Sequence, residues 1–204
     1  MKQMYDNADE RTTKESYGNM PVQINHPSYR KHFIAGAIIT AILGTLAHFA
    51  YDWSGQIRLV GLITAVNEST WEHMKLLFFP MLFVSIFLAW RYAKKSGNDI
   101  IRSCIFSALL AGNLIGTFLI PILFYTYSGI LGQTIDAVNI AIYYICVIAA
   151  FYIAYQLVQK ECPAEHTNLL LLITFVMILL FFIFSYYPPE LGIFEDPALK
   201  MRVG

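Results

Sequence analysis

The chain has 204 residues, 57% of them hydrophobic and only 14% charged, whereas an ordinary soluble domain carries about 25% charged residues. Its 14 Lys plus Arg balance its 14 Asp plus Glu, and no basic run of the kind that tracks phosphates appears, so nucleic acid is not an expected partner. Lipid is the expected solvent. Because every backbone group must be satisfied inside the hydrocarbon, the expected fold class is all-α: a polytopic membrane helix bundle of about five transmembrane helices plus one interfacial or re-entrant segment.

Residues 1–31 are polar, mixed in charge and without hydrophobic periodicity, and are expected to form a disordered cytoplasmic tail. The bundle should occupy 32–187, with 188–204 a separate C-terminal segment. Phe33 to Tyr51 is an apolar run free of formal charge, close to the roughly 20 residues that cross about 30 Å of hydrocarbon. The long polar leader and the lack of an A-x-A site after this run argue against a cleaved signal peptide. Ser54 to Val66 is apolar but broken by Gly55, Arg58 and Gly61, and is too short to span, so it reads as interfacial or re-entrant.

Leu76 to Trp90 is a short second span, with Lys75 and Arg91 at its ends expected to snorkel toward the headgroups. A third span lies within Ser103 to Ile135 and ends near Tyr127, a fourth covers Ala137 to Gln159, and a fifth Thr167 to Tyr187. Tyr and Trp gather at the span ends, as in Tyr51–Trp53, Trp90–Tyr92, Tyr125–Tyr127 and Tyr186–Tyr187, the pattern of interfacial aromatic belts. Gly36, Thr40 and Gly44 in the first span, and Ala108, Gly112 and Gly116 in the third, recur every fourth position. Such stripes let helix backbones approach closely, and Pro121 is expected to kink the third span. Cys104, Cys146 and Cys162 are widely spaced without CxxC pairs, and neither a disulfide framework nor a metal site is expected of them.

Charge asymmetry sets the orientation. Lys2, Arg11, Lys14, Arg30, Lys31, Arg91, Lys94, Lys95, Arg102 and Lys160 fall on one side, and only Arg58, Lys75, Lys200 and Arg202 on the other. Ten against four places the N-terminus in the cytoplasm and the C-terminus outside the cell membrane.

The densest polar string, Asn67-Glu68-Ser69-Thr70-Trp71-Glu72-His73-Met74-Lys75, opens the second span on the extracytoplasmic side. Part of it reads as structure, because Ser69 and Glu72 have capping-box spacing. Capping needs neither Asn67 nor a histidine beside carboxylates. His48 and Asp52 lie four apart on one face at the end of the first span. If the first two spans are neighbours, His48, Asp52, Asn67, Glu68, Glu72 and His73 are candidate catalytic residues, suited to general acid and base work. His48, His73 and Glu72 are the candidate ligands of a divalent metal such as zinc. No HExxH-type framework is present, and for His48 alone a hydrogen-bonded interfacial histidine is the simpler account.

Pro188-Pro189 ends the fifth span and enforces an extended path, so Phe194 and Leu191 are expected to fold back on the outer ends of the first two spans as a lid. His48, the Asn67–Lys75 string, Pro80 and the Pro188-Pro189 to Phe194-x-Asp196-Pro197 tail together resemble an uncharacterised family of small bacterial integral membrane proteins, known only as a domain of unknown function. The resemblance runs from about His32 to Pro197 and implies no activity.

Three function classes therefore stand open. An ion-coupled carrier usually holds ionisable groups in mid-membrane, whereas here only Asn113 is strongly polar in mid-span; a carrier or pore for an uncharged solute remains compatible. A non-catalytic partner or assembly protein would use its outer loops. The first-ranked reading is an extracytoplasmic binding or catalytic site, in an enzyme acting on a lipid or lipid-linked substrate.

Overall fold

The structure is a computed structural model and describes residues 27–96, 99–160 and 163–196. Its helices are α1 (Pro27–Trp53), α2 (Arg58–Gly61), α3 (Thr70–Ser96), α4 (Asp99–Leu131), α5 (Asp136–Lys160) and α6 (Thr167–Phe184), with 3-10 turns at Pro163–His166 and Gly192–Phe194. No strand occurs among the described residues. Five helices are long and apolar enough to cross a membrane, the expected number, so the chain is a multi-pass helical bundle.

Several boundaries differ from the sequence reading. α1 begins at Pro27, a residue suited to the first helical turn, and continues through Tyr29 and His32, whose rings lie against Tyr92 of α3. The helical part of the supposed tail is thus 27–31, and its remainder lies outside the described residues. α3 begins at Thr70, directly after the Ser69 cap, so its first turns ahead of the charge-free run carry Glu72 and Lys75, whose charges neutralise one another inside the protein. Lys75 does not snorkel: it is fully buried. Ser54 to Val66 does not span. It turns at Gly55 and Gln56, both at positive φ, and makes only the single helical turn α2.

α1, α3, α4 and α5 close a ring in which α1 touches α3 and α5, and α4 touches the same two helices from the other side. α6 packs outside this ring on α4 and lays Phe181 and Phe182 against Phe78 and Phe79 of α3. About two thirds of the α3 span is buried against 17% of the α6 span, so α3 is central and α6 presents most of its surface to lipid. Side chains such as Leu172, Phe175 and Ile183 face outward.

The small-residue stripes lie at helix contacts. A Cβ on Gly36 would meet the Phe151 ring at 2.7 Å, and one on Gly116 would meet Ala150 Cβ at 2.6 Å, so α5 packs tightly on both α1 and α4. Gly44 lies against the Leu76 carbonyl and the Tyr143 hydroxyl. Pro80, lacking an N–H, leaves that carbonyl without its helical donor, and only a glycine on α1 allows the approach. Pro121 stands inside α4, which continues to Leu131. Asn113 donates to the Phe78 carbonyl at 3.1 Å and ties α4 to α3. Cys146 is free and buried, but Cys104 is disulfide-bonded, against expectation; its partner falls outside the described residues. The physical reason is that the start of α4 packs on the 3-10 turn at Pro163–His166, a proximity that sequence spacing does not display.

Candidate functional site

His48 is the next member of the inward stripe after Gly36, Thr40 and Gly44, four residues on, so packing of α1 against α3 and α5 aims it inward at the end of the bundle. The loop before α3 brings up the other half. Asn67 Oδ1 accepts from the Ser69 amide at 2.9 Å, an Asx-type turn, and Ser69 Oγ accepts from the Glu72 amide at 3.3 Å, which caps α3. That turn leaves Glu68 pointing at α1 and His73 one turn into α3.

The three side chains meet. Glu68 lies 3.8 Å from His48 Nε2 through Oε1, and 3.4 Å from His73 Nε2 through Oε2. The two imidazole rings are 5.4 Å apart, centre to centre. His73 Nδ1 is 2.9 Å from the Ser69 carbonyl; a carbonyl only accepts, so Nδ1 carries a proton, and in the neutral ring Nε2 has the lone pair. His48 Nδ1 is buried and makes no hydrogen bond.

These residues form one wall of a cavity of about 410 Å³ between the ends of α1 and α3 and the facing parts of α4 and α5. Ile120, Phe124, Ile140 and Ile142 supply an apolar lining, while Asp136, Asn139 and Tyr143 close the far side. Tyr143 reaches past the cavity, its hydroxyl shared between the Thr40 and Ala41 carbonyls at 3.1 and 3.2 Å. The Tyr127 hydroxyl donates to Asn139 Oδ1 and accepts from the Ile135 amide, which fixes the turn before α5.

The structure does not bring Glu72 to the histidines. Its Oε2 pairs with Lys75 Nζ at 2.5 Å and accepts from the Val66 amide at 2.9 Å, while Oε1 accepts from the Ser185 hydroxyl at 2.9 Å. Nor does Glu72 close a capping box, since Asn67 has taken the Ser69 amide. Lys75 also donates to the Gly61 carbonyl at 2.7 Å and to Ser185 Oγ at 2.8 Å, so this buried pair links α2, α3 and the end of α6. Asp52 is exposed and stands outside the His48–Glu68–His73 cluster.

The C-terminal segment folds back onto the outer end of the second span, as expected for Phe194, but not onto the first. The Phe194 ring lies 5.0 Å from that of Trp71 on α3 and 5.3 Å from that of Phe184 on α6, while Leu191 remains exposed. None of its described residues, 188–196, lines the cavity.

The chain matches the family of unknown function DUF6512 over residues 21–202. It belongs to that family. No curated protein and no solved structure matches it, so the DUF6512 site is read from its own geometry. Sequence reasoning missed the far wall of this DUF6512 cavity. Asp136, Asn139 and Tyr143 repeat at helical spacing on one face at the start of the fourth span, a signal present but far in sequence from the polar string.

Proposed function

We propose that this DUF6512 protein uses the His48–Glu68–His73 cluster to bind and act on the polar end of a lipid or lipid-linked substrate. The observation that carries the reading is the placement of His48, Glu68 and His73 on the wall of a cavity whose lining also includes the apolar Ile120, Phe124, Ile140 and Ile142, at one end of a bundle of apolar helices. An acyl chain would lie along the apolar lining while the polar end meets the cluster. His73 Nε2, freed by the Ser69 contact, is the base; Glu68, between the two rings, orients them and accepts a proton from either. Asp136 and Asn139 supply polar contacts from the opposite wall. The excess of Lys and Arg at the other end of the bundle supports an extracytoplasmic cavity. A carrier reading gains nothing from Asn113, whose amide is engaged in holding α4 to α3.

The test is photo-crosslinking with a diazirine-bearing phospholipid in reconstituted vesicles, with adducts mapped by mass spectrometry. Adducts concentrated at Phe124 and Ile140, and removed by Ile140→Trp, are expected. Labelling spread evenly over the lipid-facing residues of α1 and α6, with none in the cavity, would overturn the reading.

A further inference from the structure

We propose that His48, Glu68 and His73 together hold one divalent transition-metal ion, best matched by zinc, at the cavity wall. The proposal rests on the cluster being a working site, but not on the identity of what fills the cavity. Two imidazoles and one carboxylate are borderline and hard donors of the kind zinc accepts. One ligand atom from each of the three residues lies within 4.8 Å of the others. The 3.4 Å between His73 Nε2 and Glu68 Oε2 already equals the roughly 3.4 Å edge of a tetrahedron with metal–ligand bonds near 2.0–2.1 Å. His48 Nε2 lies 3.8 Å from the other oxygen of that carboxylate, Oε1, and the half-exposed Glu68 side chain can change rotamer to draw the three ligand atoms, already within 4.8 Å of one another, around one ion.

The surroundings of the rings point the same way. Metal-ligating histidines donate their other ring N–H to a carboxylate or carbonyl, which fixes tautomer and orientation. His73 does this with the Ser69 carbonyl, in the turn that also caps α3, so the fold that starts the helix also presents Nε2. His48 Nδ1 has no such acceptor among the described residues, so of the two rings only His73 shows this orientation. Three protein ligands leave a fourth position open, and both histidines and Glu68 line the cavity, so that position belongs to water or substrate. Glu68 takes the place that spacing alone gave to Glu72, which is occupied by Lys75.

The experiment uses full-length protein purified in detergent without chelator, equilibrated with micromolar zinc and analysed for metal content. One zinc per chain is expected, with affinity at least tenfold lower in each of His48→Ala, Glu68→Gln and His73→Ala and unchanged in Asp52→Asn. The His48→Ala/His73→Ala double variant should lose little more than either single one, because ligands of one ion are not additive. Affinity should also fall as the medium is acidified, because protons compete with the metal for the imidazole nitrogens. Thermal melting keeps folding separate from binding: zinc should raise the melting temperature of the unaltered protein and leave that of the ligand variants unmoved. No stoichiometric zinc, or zinc insensitive to all three substitutions, overturns the site. Zinc bound without lipid adducts in the cavity would leave the metal centre standing and remove the substrate reading; adducts without zinc would do the reverse.

Discussion

A carboxylate in the first turn of a helix and a lysine three residues later are ordinarily surface features, one answering the helix dipole and the other reaching for water. Glu72 and Lys75 are instead almost fully buried. The burial is tolerated because Val66, Gly61 and Ser185 satisfy the remaining donors and acceptors. Removing one partner leaves a lone buried charge, at a cost of about 3–5 kcal/mol. Lys75→Met should therefore unfold at markedly lower denaturant than the parent, and Glu72→Gln/Lys75→Met should recover much of the loss. A double variant no better than Lys75→Met would refute the pairing as the reason. Ser69 makes a smaller contribution. Its hydroxyl is the only side-chain acceptor shown for the Glu72 amide, so Ser69→Ala should cost about 0.5–2 kcal/mol, read by thermal unfolding in detergent.

Between elements, the every-fourth-residue stripes decide how closely α1 and α4 approach α5. Gly116→Val would drive its side chain into Ala150 and should cost on the order of 1–3 kcal/mol, while Gly129→Ala, with open space around it, should change stability by less than about 1 kcal/mol and in the favourable direction. Equal effects in denaturation would show that the stripe is not a packing device. The stripes were legible because a packing surface repeats along its own helix, and His48 could be placed because it continues one of them. The partner of Glu72 was not legible in the same way. Capping-box spacing and a buried ion pair use the same Glu at the same position; Asn67 takes the Ser69 amide that the box would need, and Ser185, more than a hundred residues away, completes the partners of the ion pair. The cavity's far wall was hidden for the same reason: Asp136 and Asn139 come to face His48 only when α5 packs back on α1. Prolines after α6 indicated a chain returning to the outer ends of the first two spans, and it lands on the second, where the Phe194 ring packs against Trp71.

At the scale of the whole molecule, two features bear on which end faces the cytoplasm, and they point in opposite directions. The Lys and Arg excess favours an arrangement with the ends of α3 and α5 and the start of α4 inside. Cys104 lies at that same end and is disulfide-bonded, a state that persists in oxidising compartments and is rare in the cytosol. We give the charge asymmetry precedence, because it acts during insertion, when loops either cross the membrane or do not, whereas a thiol pair only reports the compartment it later meets. Lys94 is exposed at the end of α3 and Gly129 at the far end of α4, so they mark opposite sides. Single cysteines introduced at these positions, in a background with Cys104, Cys146 and Cys162 replaced by serine, should react differently with a membrane-impermeant maleimide in intact cells. The N-in arrangement requires labelling at Gly129→Cys and protection at Lys94→Cys until the cells are permeabilised. The reverse pattern would invert the protein, place the His48–Glu68–His73 cavity on the cytoplasmic surface, and put the Cys104 disulfide outside the cytosol.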